Sequence, residues 1–295
     1  MEGILSFQLL PCAVPLWAGF ECGHLGWCDQ DLLAETCHTP ATHMSRHYAE
    51  AMALGVQVAR DGLPWRHDPT ERVAAVPPGV RVIWDLCHFD PPERPEVHAI
   101  RCARALGGDA SIIAVNEPSV WPLLCRRSRS SAIAAAKRMM SAIALYMRAR
   151  FYTCDPMHSL EEQVFAATDE LVATGHIAAV GVNYYPHEAR VPLREVLAVV
   201  WRRYGLPLAL TETSWHRGHR RAMKRFPAIG DCQHAWLAHV RHEVVASGAP
   251  VEGICWYPWL DQPVWGKPQG RARWPCGFPQ PPAQLDWLDQ SRATA

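Results

Sequence analysis

Between residues 14 and 256 the sequence alternates short apolar runs with longer stretches of helical periodicity, and this alternation limits the possible folds more than any other feature. The runs cover residues 14–20, 55–58, 80–86, 111–115, 148–153, 177–182, 207–210 and 251–256. Several are rich in β-branched residues and almost uninterrupted, as expected of parallel strands buried on both faces. Helical patterns fall between them, at 41–54, 95–106, 130–147, 160–174, 192–204 and 231–247, with a closing helix at 282–290. Residues 69–76 leave room for only about two helical turns before Pro77-Pro78-Gly79 stops them.

Eight strands alternating with about eight helices is the pattern of a (β/α)8 TIM barrel, an α/β fold. A doubly wound sheet has the same local pattern. It needs a glycine-rich phosphate loop after its first strand, and Gly19-Phe20-Glu21-Cys22-Gly23-His24 is not one. At 295 residues the whole chain, 1–295, reads as one such barrel. Lys+Arg 29 balances Asp+Glu 29, which argues against a nucleic-acid partner. No apolar run approaches the roughly 18 residues of a membrane span, so no membrane partner is expected. Hydrophobic residues at 49% exclude a disordered chain. The N-terminus has no basic stretch or cleavage signal, and the cysteines are scattered without a Cys-x-x-Cys pair. Both features point to a cytoplasmic protein with reduced thiols. The oligomeric state is left open.

In a barrel the chemistry gathers where the strands end. After the first run come Glu21 and His24, after the second Arg60, Asp61 and Trp65, and at the end of the third Asp85 and His88. The fourth ends in Asn116-Glu117-Pro118, the fifth in Asp155 and His158, and the sixth in Asn183-Tyr184-Tyr185. The seventh ends in Thr211-Glu212-Thr213-Ser214-Trp215 and the eighth in Trp256-Tyr257-Pro258-Trp259. Glu117 and Glu212 each follow a buried strand. Two carboxylates facing one pocket can divide glycoside hydrolysis between a protonated acid and an ionised nucleophile, provided their surroundings push their pKa values apart. Arg60 could hold the ionised one. A tryptophan count of 13 suits stacking against sugar rings.

These strand ends resemble those of the clan A glycoside hydrolases. Asn116-Glu117-Pro118 matches that clan's pair after the fourth strand, and Thr211-Glu212-Thr213 its glutamate after the seventh. Arg60, His88 and Asn183-Tyr184-Tyr185 are most similar to family 1, the β-glucosidase family. The resemblance implies a retaining hydrolase of β-linked carbohydrate substrates, with Glu117 as acid/base and Glu212 as nucleophile. It implies that Asn116 binds the sugar 2-hydroxyl, that Arg60 and Tyr185 orient Glu212, and that His88 binds the glycone. Trp256, Tyr257 or Trp259 would be the sugar platform, and Glu21 and His24 could line the glycone pocket. No cofactor and no metal are implied. One departure is Val264, which stands where the family carries a glycone-binding acid. The alternative is a sugar-binding barrel with little or no activity, for which side chains would fill the pocket. Two further expectations concern the surface. His43 and His47, four apart on a helix, should face solvent. Arg126 and Arg127, with Arg217, Arg220 and Arg221, could form a rim that attracts an anionic sugar.

Overall fold

The computed structural model describes residues 14–266 and 273–279. Eight parallel strands form a closed ring: β1 (Leu16–Gly19), β2 (Val58–Gly62), β3 (Arg81–Asp85), β4 (Ala110–Ile113), β5 (Ala149–Tyr152), β6 (Ile177–Asn183), β7 (Leu208–Thr213) and β8 (Val251–Trp256). Each pairs with the next in sequence. The β8–β1 pairing closes the ring, with Leu16 beside Ile254 and Ala18 beside Trp256. Among the described residues the helices packed around the ring include α1 (Met44–Ala53), α2 (Pro69–Ala74), α3 (Pro95–Leu106), α4 (Arg129–Ala144), α5 (Glu162–Val172), α6 (Leu193–Tyr204) and α7 (Gln233–Ser247), with short further helices at Leu32–Glu35, Trp121–Leu124 and Arg220–Arg225 in the loops. The expected closing helix at 282–290 lies outside the described residues.

The helix boundaries follow local chemistry. Asp68 caps α2 by accepting from the Thr70 amide, with Pro69 at the first helical position. Ser128 caps α4 through the Ser131 amide. Helices α3, α6 and α7 end on Gly107, Gly205 and Gly248, all in the left-handed conformation that glycine adopts without steric cost. Helix α6 buries Leu193, Val196, Leu197 and Val200, the i, i+3, i+4, i+7 stripe of a helix lying on a sheet.

Strand residues alternate between two environments. Outward side chains pack under the helices, Val180, Val182, Leu208, Leu210 and Ile254 against α6 and α7, and Trp84 and Ile112 against α3 and α4. Inward side chains fill the barrel: Trp17, Val58, Ile83, Ile113, Tyr152, Ala179, Ala209 and Cys255. Gly19 must be glycine, because a Cβ there would overlap the Tyr257 ring lying across the top of this layer.

Strand β2 corrects the sequence reading. Its apolar run suggests 55–58, but the strand begins at Val58 and carries Arg60 and Asp61 within it, both fully buried. Strands β6 and β7 likewise continue past their apolar runs into Asn183 and Thr213. Every cysteine from Cys22 to Cys276 is a free thiol. No helix among the described residues is long and apolar enough to cross a membrane.

Candidate active site

The C-terminal ends of the strands surround a cavity of about 690 Å³, lined among others by Glu21, His88, Glu117, Tyr185, Glu212, Tyr257 and Gln262. That volume suits a small ligand. Beneath it, Arg60 organises the inward polar layer. Its Nη1 donates to Glu212 Oε1 at 2.6 Å and to the Thr211 carbonyl at 3.1 Å. Its Nη2 donates to Asp85 Oδ2 at 2.7 Å and to Asn116 Oδ1 at 2.9 Å. The guanidinium also lies 4.8 Å from the centre of the Tyr257 ring, within cation–π range.

Glu212 reaches the cavity because β7 breaks register after Leu210 in both of its ladders. Regular alternation would send Thr211 inward and Glu212 outward. The irregularity turns both toward the barrel mouth, as bulges beside active sites commonly do. Tyr185 completes the setting by donating from its hydroxyl to Glu212 Oε2 at 2.8 Å. Burial and the Glu212 and Glu117 charges push the Tyr185 hydroxyl well up, so it stays protonated and remains a donor. Glu212 therefore accepts from two fixed donors, one of them charged, an arrangement that suits a carboxylate.

Glu117 has different surroundings. Its backbone is left-handed, at φ 44, which a non-glycine residue adopts only when its surroundings hold it there. The Glu117 amide is tied to the Cys154 carbonyl at 2.7 Å, and its side chain accepts from Asn183 Nδ2 at 2.7 Å. No cation pairs with it among the described residues. Burial pushes its carboxyl well above the usual range, and the Glu212 charge pushes it further, against the Asn183 hydrogen bond. The site thus holds one carboxyl group fixed by a guanidinium and a second whose protonated form burial and like charge favour.

His88 is fixed from both sides. Its Nδ1 faces Asp85 Oδ2 at 3.1 Å, and its Nε2 faces the Asn116 amide nitrogen at 3.1 Å. Since Asn116 gives its oxygen to Arg60, its NH2 must donate to Nε2, which assigns the His88 proton to Nδ1. Burial lowers the His88 pKa, but the Asp85 hydrogen bond and charge outweigh it and leave the imidazole raised. Cys22, Asp85 and His88 are the group among the described residues whose ligand atoms converge enough for a metal. They fit one poorly, because Arg60 already shares Asp85 Oδ2 and would repel a second cation.

The other expected residues divide. Glu21 is buried and lines the cavity, accepting from the Gly23 amide at 2.8 Å, from the Tyr257 hydroxyl at 3.1 Å and from Gln262. Asn116 is fully buried with its amide already taken, so it supports the wall without lining it. Trp256 is a correction. It is 0% exposed, donates to the Cys276 carbonyl at 3.0 Å and packs edge-on to Phe278, on the outer side of β8. Trp259 is also buried, stacked on Phe278. Of the three expected platform residues, only Tyr257 reaches the cavity. Trp265 and Trp274 line it instead, with ring centres 5.6 Å apart. Trp265 directly follows Val264. His24 is buried beside Asp29 and outside the cavity. His47 is buried too, and its Nδ1 lies 3.1 Å from that of His38, so its helix face is not the solvated one expected. Arg126 and Arg127 do not line the cavity, whereas Arg217 does.

The ring of eight strands, with its polar mouth, has the fold of the family 1 β-glucosidases and other clan A glycosidases. A family 1 β-glucosidase from Thermotoga maritima superposes with a TM-score of 0.59 at 12% identity, over 91% of this chain and 92% of that one. A rice β-glucosidase gives 0.59 at 12% identity, over 91% and 93%. An exo-β-1,4-mannosidase from an Opitutaceae bacterium gives 0.57 at 14%, over 85% of this chain and 52% of its own. No protein-family model matches the sequence, and neither does any curated protein.

Proposed function

We propose that the protein is a retaining glycoside hydrolase acting on β-linked glycosides, with Glu212 as nucleophile and Glu117 as acid/base. The observation that carries this is the contrast between the two carboxyl groups in one cavity. Arg60 and Tyr185 donate to Glu212, while burial and the Glu212 charge raise Glu117. In the first step Glu212 attacks the anomeric carbon as Glu117 passes its proton to the departing oxygen. In the second, the ionised Glu117 removes a proton from water, which attacks the same carbon and releases Glu212. Glu21, His88 and Gln262 supply hydrogen-bonding groups for the glycone, and Tyr257, Trp265 or Trp274 an aromatic face. The fold of the β-glucosidases and the mannosidase named above supports this class of reaction. The cavity is open and not filled by side chains, which favours hydrolysis over a purely structural barrel.

The test is to screen aryl β-glycosides with the purified chain and follow the first-formed product by NMR. The β-anomer should appear first and mutarotate later. First appearance of the α-anomer would exclude retention. No turnover across the panel would leave the sugar-binding barrel as the better account.

A further inference from the structure

The two halves of the cavity mouth differ in chemistry. Glu21, His88 and Gln262, which follow β1, β3 and β8, make a buried wall of paired hydrogen-bonding groups. The half that follows β5, β6 and β7 is built from His158, His187, His216 and His219, with Arg217 between the last two. The His187 ring centre lies 4.6 Å from that of His219 and 5.3 Å from that of His216. The Nδ1 atoms of His158, His187 and His219 are buried and have no hydrogen-bond partner. Glu188, an exposed carboxylate on this side, is 4.0 Å from His158. None of the described acidic groups forms an ion pair with Arg217, Arg220 or Arg221.

Such a wall carries ring nitrogens without hydrogen-bond partners and one lining cation, Arg217, that forms no ion pair among the described residues. Burial pushes His187 down to about 3, and the neighbours that push it further are His216, His219, Arg221 and His158. Burial and His219 bring His216 down to about 4. The His187 and His216 imidazoles are therefore neutral near pH 7, each with one N–H to donate. Their ligand atoms do not converge as a metal site, since the group that does is Cys22, Asp85 and His88. What such a wall lacks is an anion.

We propose that this wall is a subsite for an anionic group, a carboxylate or a phosphate, carried on the leaving-group side of the glycoside. The placement rests on the hydrolase reading, since Glu117 would protonate the leaving oxygen. The groups that act on Glu117 besides Glu212 are Asn183, Asp155 and Glu188, all on the β5–β6 side of the mouth. A leaving group that takes its proton from Glu117 lies on that side. The substrate class is then a β-glycoside with an acidic aglycone.

Two measurements on the full chain test this. Calorimetry with inorganic phosphate, and separately with acetate, measures the anion site without turnover and separates phosphate from carboxylate preference. The second compares kcat/KM for a 4-carboxyphenyl β-glycoside and its carboxamide twin. The wild type should bind at least one anion and prefer the carboxylate substrate about tenfold, a difference of about 1.4 kcal/mol. His187→Ala/Arg217→Ala should lose both properties while keeping turnover of the carboxamide. Turnover of both substrates at equal kcat/KM with no anion binding overturns the subsite and leaves the hydrolase standing. Anion binding that EDTA abolishes also overturns it, because a metal would be the receptor. Anion binding by wild type, lost in the variant, with no turnover of any glycoside supports the subsite and sinks the hydrolase.

Discussion

Arg60 and Asp61 are neighbours on β2, fully buried and oppositely charged, and they serve different purposes because strand side chains alternate. Arg60 points into the barrel. Asp61 points out, under α1 and α2, where Oδ1 accepts from Arg72 at 2.7 Å and Oδ2 from His38 at 3.0 Å and Tyr48 at 2.8 Å. Arg72 also donates to the carbonyls of Gly62 and His38. Both oxygens of Asp61 are thus satisfied, and the cluster ties the loop before α1 to β2 and α2. The inward cluster is left open. Arg60 Nε and Asp85 Oδ1 have no partner, and its Glu212 end faces a cavity. A network closed on itself serves stability, while one that ends at a cavity leaves groups for a ligand.

The largest separation should come from removing one carboxylate from each network. Glu212→Ala should lower kcat by about 10⁴-fold or more, the order seen when a catalytic nucleophile is deleted, with the melting temperature little changed. Asp61→Ala should do the opposite. It leaves Arg72, His38 and Tyr48 buried without their shared acceptor, a loss of about 3–5 kcal/mol, which is about 10 °C in melting temperature for a chain of this size. Activity per folded molecule at low temperature should stay near wild type. Calorimetric melting and initial rates on the same samples decide it, and a Glu212→Ala protein that melts as early as Asp61→Ala would erase the distinction.

The two regions should also fail at opposite ends of the pH scale. Burial holds His47 neutral, down to about 3, and His98, down to about 4, whereas both titrate near 6.5 when unfolded. The unfolded chain therefore binds more protons in that interval, and stability should fall as pH drops from about 6.5 toward 4. Burial raises the Asp61 carboxyl, but Arg72, His38 and Tyr48 outweigh it and hold the group below the usual carboxylate range. Its contribution is present above its unfolded value of about 3.9 and is lost on further acidification. The proposed hydrolysis should fail on the alkaline side. Glu117 must be protonated to act as an acid, so kcat/KM for substrates with poor leaving groups should fall as pH rises through its raised pKa. Melting and kcat/KM measured across pH 4–10 check both limbs, and His47→Gln should make the acid limb of stability shallower, with the His98 contribution remaining, and leave the alkaline limb of kcat/KM in place.

The smallest effect concerns the aromatic residues. Trp265→Ala should raise KM about tenfold with little change in melting temperature, because the ring lines the cavity. Trp256→Phe should cost about 1–3 kcal/mol of stability and leave KM unchanged, because the ring is outside the barrel. Matched KM shifts in the two variants would show that the cavity wall has been misassigned.

The sequence made the barrel legible because buried parallel strands are nearly all apolar and the helices between them are amphipathic. It misled where function intrudes. On β2, β6 and β7 the charged and amide residues that end the apolar runs belong to the strands, so a hydrophobicity pattern stops where the inward polar layer starts. Glu117, Glu212, Arg60, His88 and Tyr185 were legible as strand-end residues. The register break that aims Glu212 inward was not, since no residue type marks it. Trp256 was misread because tryptophan at a strand end faces the helices as readily as the cavity, and only the register of β8 decides. Trp265 and Trp274 could not be placed because they reach the cavity through an antiparallel pairing of two short segments, Gln262–Pro263 and Arg273–Trp274. His47 looked like a surface residue because its partner, His38, lies in the preceding loop.

In the proposed mechanism Glu212 forms a covalent bond to the sugar. Incubation with a 2-deoxy-2-fluoro β-glycoside bearing an activated leaving group, followed by peptide mass spectrometry, tests it directly. The fluorine slows both steps, and the good leaving group restores the first, so a glycosyl-enzyme should accumulate. The account predicts time-dependent inactivation and a single fluoroglycosyl adduct on the peptide containing Glu212, absent from Glu212→Ala. An adduct on another carboxylate, or undiminished turnover with no adduct, would contradict it.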